Sequence, residues 1–177
     1  AAAIGKGQKK AMVLPSLTIH ATLHLLTVRK IRIEAIDTRI ITHGTLVVMD
    51  PFTAKIYGGT VHGKFRMDLS QGLPSFKKEM SIKNVAVGSF LSDLRPGGKE
   101  RFTGRFFGNI RGEGTLGLPS TYKGKATFRI EHGEVQHVAI LRMAAALMKL
   151  PSLAHLRFNE LRSVIDVKDR RVHVVTA

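Results

Sequence analysis

Apolar and polar residues alternate with period two along much of the chain, and this constrains the fold more than any other feature. Successive side chains of a strand point to opposite faces, so a half-buried strand carries one oily face and one polar face. Leu17, Ile19, Ala21, Leu23 and Leu25 alternate with Thr18, His20, Thr22 and His24, and Ile31, Ile33 and Ala35 alternate with Lys30, Arg32 and Glu34. After a turn or bulge at Gly58-Gly59, Val61, Gly63, Phe65, Met67 and Leu69 share one parity while His62, Lys64, Arg66 and Asp68 share the other. A single parity then runs from Phe102 to Leu118, too long for an ordinary short strand, which predicts either one long strand or two broken near Gly112 to Gly114. Tyr122, Gly124, Ala126, Phe128 and Ile130 oppose Lys123, Lys125, Thr127, Arg129 and Glu131, and His132-Gly133 reads as a turn. Ser163 to Lys168 and Val172 to Val175 form a last pair of strands about Asp169-Arg170.

Two segments depart from this period. Val135 to Leu150 is rich in Ala, Leu and Met between Gly133 and Pro151, which predicts an apolar helix near residues 135–150. Such a helix needs cover on several sides, and docking on the oily face of a sheet would supply it. Ser89 to Leu94 is a second, shorter helical segment, stopped by Arg95-Pro96-Gly97-Gly98. The fold class that follows is mainly β: a curved antiparallel sheet or open groove, a half-barrel, carrying one apolar helix. The 17 glycines in 177 residues agree with turn-rich β structure better than with a helix bundle.

The chain suits a single domain, residues 1–177, with residues 1–16 expected to be a flexible or processed N-terminal arm. Lysines precede a short apolar run there, but Pro15 and Ser16 interrupt it too early for a signal peptide. No run approaches the roughly 18 to 20 apolar residues of a spanning helix. With no cysteine, disulfides and thiolate metal sites are excluded. A formal charge of +15 favours partners that carry phosphate, either nucleic acid or anionic lipid headgroups.

Catalytic and metal chemistry finds little purchase. His20 and His24 have HxxxH spacing, but on a strand they stand roughly 13 Å apart at about 3.3 Å per residue, too far to share a metal. Gly5-Lys6-Gly7 and Gly112-Glu113-Gly114 lack the spacing of a phosphate loop, and no G-x-S-x-G elbow presents a nucleophile. The expectation is a non-enzymatic protein with no metal and no cofactor. Lys64, Arg66, Arg105, Arg111, Lys123, Lys125 and Arg129 all fall on the polar parity, which predicts one basic surface, either a solvated outer face or a site for phosphate. A strand platform for nucleic acid usually adds exposed aromatics for stacking, whereas the aromatics here mostly share the apolar parity, so that reading is the weaker one. A transmembrane barrel would carry aromatic girdles, and the chain has no tryptophan and two tyrosines.

Four pieces of sequence from about Lys30 onward resemble the C-terminal region of the AsmA-like family of bacterial envelope proteins. They are Gly44 to Val48 followed by Ala54 to Gly63; Val85 to Leu94; Tyr122 to Val135 with its following helix; and Phe158 to Leu161 leading into Val164 to Val172. Arg170 stands where a turn glycine is common in the family. The resemblance implies the C-terminal part of a longer periplasmic protein, associated with the inner membrane through a segment absent from this chain. It implies a β-groove that holds or conducts phospholipid between inner and outer membranes, in outer-membrane biogenesis and lipid homeostasis, with other envelope proteins as further partners. Val61, Phe65, Met67, Phe106, Ile110, Phe128 and Ile130 are then the groove candidates. Lys64, Arg66, Arg105, Lys123, Lys125 and Arg129 are the candidates for headgroups or other anions. Two alternatives stand beside this: a basic β-rich nucleic-acid-binding module, and a structural envelope component without a ligand. The apolar parity likewise fits either an open groove or a closed core filled by phenylalanines and capped by the 135–150 helix.

Overall fold

A computed structural model describes residues 12–28, 30–95, 97, 101–151, 155–168 and 171–176. Nine strands are laid down in chain order: β1 Leu14–Val28, β2 Ile31–Gly44, β3 Leu46–Ile56, β4 Gly59–Asp68, β5 Ser75–Ala86, β6 Arg101–Thr115, β7 Leu118–Gln136, β8 His155–Lys168 and β9 Arg171–Thr176. Each pairs antiparallel with its sequence neighbours, giving one open sheet in the order β1 to β9 with β1 and β9 as its edges. Two helices are described: α1, Val87–Leu94, between β5 and β6, and α2, Ala139–Leu147, between β7 and β8.

Local chemistry explains the tight connections. Tyr57 and Gly58 both take positive φ, 46° and 73°, between the register partners Ile56 and Gly59, the geometry of a two-residue hairpin whose twist matches the strands. Leu116-Gly117 joins the partners Thr115 and Leu118 with positive φ at Gly117 alone, 83°, so the long single-parity run breaks there and not near Gly112 to Gly114. The wider β4–β5 connection is held by Asp68, whose Oδ1 accepts from the Ser70 amide at 2.8 Å and the Thr45 hydroxyl at 3.0 Å. These donors, led by the Ser70 amide, hold the Asp68 carboxyl below its ordinary pKa.

Three non-glycine residues with positive φ, Ala35, Asn84 and His132, sit at register shifts in β2, β5 and β7. An extra residue in one strand of a pair bends that strand and increases its twist. His132-Gly133 is therefore a bulge inside β7 and not a turn: β7 runs on to Gln136, and Val135 pairs with both Phe102 and Leu156. The second helix consequently starts four residues later than its composition suggests and ends three earlier. Its Met143 and Leu147, at 65% and 82% exposure, and Met148 just beyond it, at 62%, do not dock on the sheet as expected. At the other terminus, Leu14, Pro15 and Ser16 belong to β1, so the strand begins inside the expected N-terminal arm. Residues 1–11 and the Asp169-Arg170 turn lie outside the described residues.

Little of the molecule is sealed from water. Among the described residues, Ile36, Ala54, Val61, Val85 and Ala145 are the buried hydrophobics, while twenty large hydrophobic side chains are exposed. A sheet with one apolar face normally buries it against a second layer. Among the described residues α1 is the element that packs on it, chiefly against β6, and the sheet is not closed into a barrel.

Candidate binding face

Register fixes which side chains share a face. One row across the sheet reads Gly63, Met80, Ile110, Ala126, Ile165 and Val174, and the row two residues away reads Val61, Ile82, Gly108, Phe128 and Ser163. Val85, Phe106, Ile130 and Leu161 continue this face toward α1, and Met67, Phe76, Gly114 and Tyr122 toward the β4–β5 connection. All seven groove candidates thus lie on one face. Val61 is buried at 8% exposure; Phe65, Met67, Phe106, Ile110, Phe128 and Ile130 are half-buried.

Aromatic rings tile this face. Phe65 stacks on Phe76 at 6.2 Å, Phe76 meets Tyr122 edge-on at 5.5 Å, and Phe106 lies 5.8 Å from Phe128. The inner-parity glycines leave room beside these phenylalanines only in part. A Cβ at Gly108 would lie 3.1 Å from the Phe106 ring, and one at Gly114 would lie 2.6 Å from the Tyr122 ring, so those two glycines are already roofed.

At the α1 end the face becomes a cavity of about 420 Å³ lined by nine hydrophobic residues, with Phe90 and Leu91 of α1 facing Val61, Val85, Phe106 and Ile130. Side chains from β3 through β7 share this one cavity, although five flat strands would span about 19 Å, so the sheet curves around the helix. Gly88 allows the approach: a Cβ there would come within 2.5 Å of the Phe102 carbonyl oxygen. Tyr57 fixes the helix from the side. Its ring meets Phe90 edge-on at 5.8 Å, its hydroxyl donates to Asp93 Oδ2 at 2.8 Å, and its carbonyl accepts from the Ala86 amide at 3.1 Å. Desolvation, and then the hydrogen bond to Asp93, push the Tyr57 phenol above its ordinary pKa.

The opposite face is a charge ladder. One row reads Lys64, Glu79, Arg111, Lys125, Asp166 and His173, and the next Arg66, Lys77, Glu113 and Lys123. Lys64 pairs with Glu79 at 3.4 Å, Lys77 with Glu113 at 3.2 Å and Arg129 with Glu131 at 3.0 Å. Arg129 also lies over the Phe107 ring at 4.9 Å, so one phenylalanine does belong to the polar face. Among the described residues Arg66, Arg105, Arg111, Lys123 and Lys125 have no carboxylate within salt-bridge distance. All six headgroup candidates are on this polar face, separated by the sheet from the seven apolar candidates.

The residue missed from the sequence is Lys78. It pairs with Phe65 and Gly112, which places it on the apolar face, while its neighbour Lys77 faces the ladder. Consecutive lysines inside a strand are the signal, since period two forces one of them inward. No family model, curated protein or solved structure matches the chain. No helix among the described residues is long and apolar enough to cross a membrane.

Proposed function

We propose that this chain is a non-catalytic, AsmA-like part of the bacterial envelope that holds phospholipid acyl chains on its apolar face and helps conduct them between the inner and outer membranes. In this reading it works in the periplasm and is associated with the inner membrane through a segment outside this chain. The observation that carries the proposal is the apolar face itself, continuous across the sheet, tiled by aromatics and covered by α1 at one end. The energetics suit exchange rather than capture. Moving about 30 methylenes from water onto such a face is worth on the order of 24 kcal/mol gross at about 0.8 each, and a bilayer returns nearly the same.

The test is mass spectrometry of organic extracts from gently purified protein beside a mock purification. Stoichiometric phospholipid above the mock is the expected result. Its absence would leave a structural envelope component without a ligand. A second reading draws on the unpaired cations of the polar face, which suit the backbone of a nucleic acid. Binding of RNA or DNA that falls steeply with salt would favour it, whereas retention on neutral-lipid vesicles in high salt favours the lipid reading.

A further inference from the structure

Lys78 is the one charged residue in the rows that run from β4 to β9 across the apolar face, in the company of Phe65, Phe76 and Met80. Its stem lies on bare backbone: a Cβ at Gly112 would sit 3.6 Å from Lys78 Cε, and Gly112 pairs directly with Gly124. The other lysines near it on the polar side, Lys64 and Lys77, are matched to Glu79 and Glu113, but no carboxylate among the described residues reaches Lys78. Lys78 is half-buried: its stem covers apolar surface, and no described carboxylate on this face matches its charge, so it is an unmatched cation available to an anionic ligand group lying on that face.

The position along the strand adds direction. Lys78 lies four residues from Ile82, which lines the cavity beneath α1, or about 13 Å at the rise of an extended strand. Between them lies the row of Met80, Ile110, Ala126 and Ile165, which presents only carbon and sulfur.

We infer that Lys78 is the headgroup anchor of the apolar face: it pairs with the phosphate of a net-anionic phospholipid whose acyl chains run along the strands toward the cavity under α1. This rests on the lipid-binding reading above and goes beyond it, because it assigns a lipid class and an orientation to a face that is otherwise indifferent to headgroups. The six cations of the polar face play no part in it.

The experiment loads delipidated protein from vesicles of equal phosphatidylglycerol and phosphatidylcholine, reisolates it and quantifies both lipids. Wild type is expected to be enriched in phosphatidylglycerol by about five- to tenfold, the scale of one charge-assisted hydrogen bond on a part-exposed site. Lys78→Met is expected to keep the total lipid and lose the enrichment, Lys78→Arg to keep both, and Lys77→Met to behave as wild type. Wild type that retains lipid without enrichment overturns the anchor, as does enrichment that survives Lys78→Met or disappears in Lys77→Met. Wild type that retains no lipid from either vesicle component overturns the lipid reading itself. Should Lys78→Met fail to fold, displacement of phosphatidylglycerol from wild type by raised salt, with phosphatidylcholine unaffected, reads the same interaction; equal retention of both would refute it.

Discussion

Removing the ring of Phe106 tests whether the cavity under α1 is what holds the apolar face in shape. The ring packs against Phe128 at 5.8 Å, roofs Gly108 and lines the cavity with Val61, Val85 and Leu91. Truncating a fully buried Phe to Ala costs about 3–5 kcal/mol, so a half-buried one costs about 2 kcal/mol, and the lost aromatic pair adds about 0.5–1.5 kcal/mol. The expected destabilisation for Phe106→Ala is thus about 3 kcal/mol, or roughly 6–12 °C in Tm for a chain of this length. Circular dichroism melts with a urea titration measure it. The control is Arg66→Glu on the polar face, expected to stay within about 0.5 kcal/mol of wild type. A Phe106→Ala shift below about 2 °C, or an equal loss in Arg66→Glu, would refute the division of the sheet into a packing face and a solvent face.

Other expectations follow from the same geometry. Phe65→Glu removes the stack on Phe76 and sets a carboxylate directly opposite Lys78, so it should abolish lipid retention both by breaking the apolar face and by occupying the lysine; a variant that melts and retains lipid like wild type would show that the face is assigned wrongly. Gly88→Ala should destabilise, because the new Cβ collides with the Phe102 carbonyl although Ala is the better helix former by up to about 1 kcal/mol; a rise in Tm would mean α1 does not dock there. Tyr57→Phe should cost about 1 kcal/mol and speed amide exchange in α1, with unchanged exchange counting against the Asp93 contact. The raised Tyr57 pKa also fixes a sign: stability linked to the neutral phenol is full below pH 10.0 and is lost as pH climbs through the folded value. Wild type should therefore weaken above pH 10.0 relative to Tyr57→Phe, and parallel alkaline profiles would contradict this.

Sequence periodicity yields the fold class because most strands alternate cleanly: β4, β6 and the first half of β7 carry their half-buried residues on the expected parity. The alternation does not identify β3 or β5 as strands, for two different reasons. Asp50 and Pro51 occupy a register shift between Met49 and Phe52, so parity in β3 reverses midway. In β5, Lys78 stands at the parity of Phe76, Met80 and Ile82, so a charge interrupts the apolar row and hides the strand. The His132 bulge imitates a turn because a left-handed residue followed by glycine suits both, and the difference lies in partners far away in sequence. That the seven apolar candidates share one face is readable because parity alone groups them. The remoteness of the predicted headgroup residues is not, because one sheet thickness has no signature in composition.

The strict neighbour-to-neighbour order of the strands has a consequence for how the molecule comes apart. Every hydrogen-bonded partner of a strand is the one made just before or just after it, so the sheet behaves as a nearly one-dimensional array whose stability is a sum of nearest-neighbour terms, much as in repeat proteins. Loop-closure entropy is small at each step, which favours zipping from any interior hairpin. Melting should then begin at the ends: β9 has a single six-residue interface, while β6 and β7 are held on both sides. Shortening the array by its last hairpin strand trims stability by one increment and leaves the central strands, with Phe106 and Phe128, intact.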